Sequence, residues 1–325
     1  MNRRDFFLGA LSVALAVKVA QAQARHYRIG YLTSATPDAY NPMLDVFIAT
    51  LARHGYQQGG NLSLVQRWSR SPVASAELEK HAAELTNLPV DAIVTWGTQA
   101  TAAAQKATRR IPIVMANTAD PLGSRFVESL ARPGGNITGI SSLSTDLSGK
   151  VLSLLKEIVP SATRIGVFRN PANPVSKHHL QSAQRSAKTL DVELIVAEVH
   201  GADLPAAFAK LSAASVQGAI ALADPAFVSH REQFATLLLR HRLPVAFQRS
   251  ENVEAGGLIS YSADLREQFR LAAGYVHRIL QGAAPGDLPV LQPAKVELVA
   301  NLKTARALGV TIPQAVRLRV DRVIE

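Results

Sequence analysis

Asp91-Ala92-Ile93-Val94-Thr95-Trp96-Gly97-Thr98-Gln99 decides the fold of this chain. Residues 91–96 form an apolar run of strand length, Gly97 breaks it, and Thr98 opens an Ala-rich stretch that reads as a helix to about residue 107. Ile111 to Ala116 is the next apolar run. Upstream, Tyr27 to Leu32 reads as a buried strand, followed by a helix over about 42–54 that stops at Gly55. Leu62 to Trp68 alternates like a strand with one polar face, and a helix is expected at about 74–87. Strands alternating with helices at this spacing predict a parallel sheet covered by helices on both faces.

A Pro133-Gly134-Gly135-Asn136 turn and the short strand Ile137 to Ile140 interrupt the rhythm, which then restarts. The second series predicts a helix near 146–159, strand 164–168, helix 174–190, strand 192–198, helix 203–214, strand 218–222, helix 226–241, and strands 244–247 and 257–261. The pattern repeats without the sequence repeating, so two similar α/β lobes are expected. A helix from Leu265 to Leu280 carries Phe269, Leu271, Ala272, Tyr275, Val276 and Ile279 and must pack on a lobe. Gly282 ends it, Pro285, Pro289 and Pro293 impose an extended connection, and a last strand and helix span about 295–308.

The N-terminus carries Arg3-Arg4-Asp5-Phe6-Phe7, an apolar run of about ten residues and the small-residue sites Ala20-Gln21-Ala22 and Ala22-Gln23-Ala24. This has the form of a secretory leader, shorter than the ~18–20 residues of a membrane-spanning helix. The paired arginines resemble a twin-arginine signal. Residues 1–24 are therefore expected to be an export signal, cleaved near Ala22 or Ala24. The whole chain has 325 residues and a net charge of +10, of which about +8 stays with the part after the leader. Its Lys and Arg residues are scattered, with no basic run interleaved with aromatics, so a nucleic-acid partner is not expected. The absence of cysteine excludes disulfides, thiolate metal sites and a cysteine nucleophile.

Ligands of doubly wound sheets bind outside the carboxyl ends of the strands. The exits here are Thr33-Ser34, Gly97-Thr98-Gln99, Asn117 to Pro121, Asn170 to Pro174, Ala223-Asp224-Pro225, Gln248-Arg249 and Ser260-Tyr261-Ser262. Small hydroxyls, amides and two aspartates suit a small polar ligand. At Gly97-Thr98-Gln99 a glycine allows close approach and a helix start presents free N–H groups to an anion; the plain alternative is that Thr98 is only a cap. Asp120 and Asp224 each precede proline. They are turn starters, or they face an ammonium group. Tyr261 is a stacking wall, a hinge residue or a core tyrosine. His178 and His179 read as surface histidines. No nucleophile elbow, His-Glu-x-x-His or phosphate-loop motif occurs, and Gly134 to Gly139 precedes a strand and opens no helix. No catalytic residue, metal ligand or cofactor is expected.

Pro133 to Gly139, Gly256-Gly257-Leu258-Ile259-Ser260-Tyr261, Asp287 to Pro293 and Asn301 to Pro313 together carry a family likeness. The chain resembles the ABC-transporter substrate-binding proteins of the tryptophan/tyrosine type along essentially its whole length after the leader. The resemblance implies a type I periplasmic-binding-protein fold: two doubly wound α/β lobes joined by three crossovers, with ligand held between them by hinge closure. It divides the chain into residues 25–143 plus 262–290 and residues 144–261 plus 291–325. It implies a carboxylate at the helix start Gly97-Thr98-Gln99, and Ser34, Asn117, Asp120, Asn170, Asn173, Asp224 and Tyr261 as further ligand residues. The ligand expected is an amino acid or aromatic acid. The partners expected are a permease and its ATPase, with the chain a periplasmic monomer lacking the lipobox cysteine common among such proteins. A module that presents ligand to a sensor kinase, or an enzyme on the same scaffold, are the competing readings.

Overall fold

The computed structural model describes residues 25–69, 75–142, 144–200 and 203–325; the leader lies outside them. The first lobe runs β1 (Tyr27–Thr33), α1 (Pro37–Arg53), β2 (Leu62–Trp68), α2 (Ser75–Thr86), β3 (Ala92–Trp96), α3 (Thr98–Ala107), β4 (Ile113–Ala119) and β5 (Ile137–Ser142). Its five strands lie in the order β2-β1-β3-β4-β5, with every pairing parallel. β3 and β4 are buried at every residue, as strands covered on both faces must be. Gly139, at φ +126°, lets β5 lie against β4, because a Cβ there would sit 2.3 Å from the Met115 carbonyl oxygen.

The second lobe runs α4 (Ser144–Ile158), β6 (Arg164–Arg169), α5 (Ser176–Leu190), β7 (Glu193–Glu198), α6 (Leu204–Ala213), β8 (Gly218–Ala221), α7 (Pro225–Ser229), α8 (Arg231–Arg240), β9 (Val245–Phe247), α9 (Ser250–Glu254) and β10 (Ile259–Ala263). The helix expected over 226–241 is thus two, broken at His230. The chain then returns through α10 (Leu265–Leu280) to β11 (Val296–Asn301), α11 (Leu302–Leu308), α12 (Gln314–Arg317) and an edge strand β12 (Arg322–Ile324) that the periodicity did not show. The second sheet has the order β7-β6-β8-β9-β10-β11-β12. Its first five strands repeat the first lobe's winding. β11 departs from the parallel rule by pairing antiparallel with β10.

Each lobe has its own core. α10 buries Phe269, Ala272, Ala273 and Val276 against α1 and the first sheet, in one cluster with Ile29, Phe47, Val94 and Trp96. Asp264 caps it, accepting from Arg266 N at 2.8 Å, which fixes where the chain turns from one lobe into the other. The second sheet is packed by α4 on one face and by Phe168, Phe208, Phe234 and Phe247 on the other, with adjacent ring centroids 4.7–5.3 Å apart. Three passages join the lobes: between β5 and α4, between β10 and α10, and from Leu291, whose N–H donates to Gly139 O at 2.9 Å, into β11.

Candidate functional site

Both lobes reverse their winding at the same place: between β1 and β3 in one, between β6 and β8 in the other. The crevice of a doubly wound sheet opens at such a reversal, where neighbouring connections leave to opposite faces. The two reversals face each other. From the first lobe come Ser34 after β1, and Gly97, Thr98 and Gln99 after β3. From the second come Asn170 and Asn173 after β6, and Asp224 after β8. Ser34, Thr98, Gln99, Asn117, Asn170, Asn173 and Asp224 are all buried, although each is polar and sits in or beside a connection.

Gly97 holds φ +90° and ψ +150°, a conformation open to glycine and costly to other residues. A Cβ here would stand 3.1 Å from Pro225 Cγ of the opposite lobe. Gly97 N donates to Asn117 O at 2.9 Å and its carbonyl accepts from Thr101 N at 3.1 Å. α3 therefore starts against the cleft with the unpaired N–H groups that every helix start carries. Buried polar atoms without a hydrogen-bond partner among the described residues include Ser34 Oγ and Gln99 Oε1. A buried polar atom left in that state costs ~1–3 kcal/mol, so both suit a ligand that completes them.

The Asp224 carboxylate, 4% exposed, is tightly held. Oδ2 accepts from Asn173 Nδ2 at 2.8 Å and from Asn170 Nδ2 at 3.2 Å, and Oδ1 accepts from Ala226 N at 2.8 Å. Asp224 thus caps α7 and anchors the β6 exit in one residue. Burial pushes its pKa up, while Asn173, Ala226 N–H, Asn170 and the Arg249 charge pull it back. Across the cleft, α7 meets the first lobe: Ser229 Oγ accepts from Thr36 N at 3.2 Å, and Val228 packs into the first lobe's core.

Three expected residues sit differently. Asp120, at φ +44°, bends its loop by accepting from Gly123 N at 2.8 Å. Its other oxygen lies 2.9 Å from His178 Nδ1 of the opposite lobe, at the cleft rim. The contact lies off the line of a hydrogen bond. Tyr261 is half-buried and packs on the second lobe's core beside α4 residues. His179 corrects the surface reading: it is fully buried, with Nε2 3.3 Å from Ser144 Oγ, which lies 2.8 Å from Ser142 Oγ across the first passage between lobes. Burial, with Arg249 and His178, drives its pKa down to about 3, so its ring is neutral.

Arg249 belongs with these residues and was only part of an exit in the sequence. It is 8% exposed, and its Nη2 donates to Asn117 Oδ1 across the cleft at 2.8 Å. Asn117 Nδ2 donates in turn to Gln268 Oε1. An arginine can only donate, so this chain fixes which way the Asn117 amide points. The signal available earlier was an arginine at a strand exit of an apolar run, indistinguishable from a surface cation without the fold. Among the described residues no group of three or more His, Asp and Glu is placed to hold a metal ion, and no helix is long and apolar enough to cross a membrane.

Two doubly wound lobes, three passages and a polar cleft between matching winding reversals define a type I periplasmic-binding-protein fold. Residues 34–324 match the family described as ABC transporter substrate binding protein, and the chain belongs to that family. It is 27% identical over 264 residues to a tyrosine-binding protein of Clostridioides difficile (strain R20291), covering 81% of this chain and 75% of that one. It superposes on the ABC domain in complex with L-Trp from Streptococcus pneumonia with a TM-score of 0.83 at 23% identity, covering 92% of this chain and 100% of the other. On a ligand-free, open substrate binding protein with adhesive properties from Clostridium difficile the TM-score is 0.63 at 22% identity, covering 92% and 99%. In the present structure the two lobes touch, Arg249 donating to Asn117 and Ser229 Oγ accepting from Thr36 N.

Proposed function

We propose that this chain is the exported, periplasmic solute-binding component of an ABC uptake system, that its ligand is an aromatic amino acid, and that binding closes the lobes about it. The observation that carries this reading is the cleft: a buried carboxylate at Asp224 on one lobe faces a helix start and the unpaired Ser34 hydroxyl on the other. A zwitterion presents an ammonium and a carboxylate to such opposed groups. The tyrosine named for one relative and the L-Trp bound in a structural neighbour support the amino-acid class. Contact between the lobes through α7 supports closure as the binding step, because ligand would stabilise the form in which both lobes touch it. A permease with its ATPase would then recognise that form.

The test is thermal melting of residues 25–325 against the twenty amino acids and a set of aromatic acids. Ligand at a hundred times its dissociation constant adds about 2.7 kcal/mol. A clear shift with tyrosine or tryptophan, and recovery of the ligand chemically unchanged, is the expected outcome. A shift only with non-amino-acid solutes, or conversion of the ligand, overturns the reading.

A further inference from the structure

Two of the three passages between the lobes run side by side. Ser141 N donates to Leu291 O at 2.8 Å and Leu291 N to Gly139 O at 2.9 Å, so the end of β5 and the segment leading to β11 form one two-stranded strip. Any rotation of one lobe against the other bends that strip. Beside it lies a cavity of about 180 Å³. The strip supplies Ser141, Ser142 and Gln292, the β4 exit supplies Asp120 and Leu122, and the start of α4 supplies Thr145. The cavity shares none of these residues with the crevice between the winding reversals, and its walls come from both lobes.

Among the described residues that line it, Asp120 alone carries a charge. Its Oδ1 accepts from Gly123 N at 2.8 Å. Its Oδ2 stands 2.9 Å from His178 Nδ1, off the line of a hydrogen bond, and keeps its capacity to accept. Thr145 Oγ1 is buried and meets no hydrogen-bond partner among the described residues. A threonine within a helix commonly donates to the carbonyl four residues back. Thr145 lies in the first turn of α4, which has no such carbonyl. Gln292 is exposed and Leu122 is 45% exposed, so the cavity has an open side. It is smaller than the ~300–1,000 Å³ of sites for drug-sized ligands, and one water takes ~30 Å³ of liquid. The occupant that fits is a molecule of a few heavy atoms. An ammonium answers the carboxylate, and a hydroxyl both donates and accepts, as the Thr145 hydroxyl does.

We propose that this cavity is a second small-molecule site, taking a short amino alcohol that touches both lobes beside the strip that joins them. Asp120 reaches the occupant from the first lobe and Thr145 from the second. Such an occupant favours the arrangement in which those two residues stand together, and it raises the affinity of the cleft for the cleft's own ligand. This linkage rests on the closure reading of the cleft; the site itself does not.

Calorimetric titration of ethanolamine into the protein tests the site. Binding should saturate. Asp120→Asn, which can still accept from Gly123 N, should weaken it by about tenfold or more, as for a hydrogen bond to a charged group. Thr145→Val keeps the shape and should weaken it by about threefold to tenfold, the range for a neutral one. Glycerol, which is hydroxylated but uncharged, should bind at least about tenfold more weakly than ethanolamine. With ethanolamine saturating, the affinity for L-tyrosine should rise by about fivefold, and Thr145→Val should lose that rise. Absence of saturable binding, unchanged binding in both variants, or glycerol binding as well as ethanolamine each overturns the proposal. So does an unchanged tyrosine affinity, and a lowered one would put ethanolamine in the cleft instead. A wild type that binds neither tyrosine nor tryptophan overturns the amino-acid reading, while the ethanolamine and glycerol titrations of the three proteins still decide this site.

Discussion

The two lobes share one winding and differ in what they place at its reversal. The first lobe puts neutral groups there: Ser34, Gly97, Thr98, Gln99 and Asn117, backed by the polarity of a helix start. The second puts formal charge there, Asp224 and Arg249, with amides holding the aspartate. The difference teaches that equivalent backbone positions in a duplicated architecture need not supply equivalent chemistry. The strand exits are set by topology, whereas their side chains are free to diverge. It also explains why the Asp224 carboxylate is met by three donors, Asn170, Asn173 and Ala226 N–H. A helix start needs no support to stay polar, but a buried carboxylate needs donors on several sides.

The sharpest way to break the comparison is at Asp224. Asp224→Ala removes the charge, the α7 cap and the anchor for Asn170 and Asn173 together. It should weaken an amino-acid ligand by more than tenfold, about 1.4 kcal/mol, and lower stability by a further ~1–3 kcal/mol from the stranded donors. Asp224→Asn, which can still cap, separates the terms: calorimetry should show the affinity loss while the melting temperature stays closer to wild type. Unchanged affinity in both variants would remove the second lobe's charge from recognition.

Next comes the neutral side. Gly97→Val places a side chain at positive φ and into Pro225, so the variant should hold its lobes apart, give a larger radius of gyration by small-angle scattering and bind ligand more than tenfold more weakly, at least ~1.4 kcal/mol. Scattering identical to the wild type would show that Gly97 is not the contact limiting closure. Thr98→Pro is a milder probe. Proline is tolerated at the first helical position, so the fold should keep its stability, while the lost N–H should weaken a carboxylate ligand by roughly threefold to tenfold, ~0.7–1.4 kcal/mol. An amide analogue that loses as much would argue against an anion at α3.

His179 gives a pH dependence. Its pKa falls from the model-compound value of 6.5 to about 3 on folding, so the unfolded chain binds the extra proton between those values. The stability it contributes is complete above pH 6.5 and is lost as pH falls towards 3, at up to about 1.4 kcal/mol per pH unit. Melting at pH 5.0 and 6.5 should show a smaller difference in His179→Gln than in the wild type; equal differences would mean the ring is not held neutral. The smallest effect is expected at the rim. Asp120 and His178 are each more than a quarter exposed, and a contact of that kind contributes ~0–1 kcal/mol. Asp120→Asn should change affinity by less than about fivefold, ~1 kcal/mol, in the same titration.

Much of this protein is legible in its chain. The apolar runs that became β1, β3, β4, β6 and β8 are buried on both faces, and such strands announce themselves as continuous hydrophobic stretches. The stops at Gly55, Gly97 and Gly282 and the break at residues 133–136 punctuate the series, which is why two α/β lobes and their strand exits could be read directly. Local signals also exposed the start of α3 and the two Asp-Pro turns. They could not show that β11 pairs antiparallel, because strand direction depends on which edge the chain returns to. They could not find β12, whose three residues offer no periodicity. They could not rank the exits either: Asp120 and Asp224 look alike in sequence, and only the packing of α7 and α5 buries one among three donors and leaves the other at the rim. His179 was hidden because Ser144, from a helix of its own lobe 35 positions away, is packed against its ring, and Arg249 was hidden for a longer-range reason. Burial of that side chain is decided by what the opposite lobe brings against it, and that contact joins residues more than a hundred positions apart, Asn117 and Arg249, which local sequence does not encode.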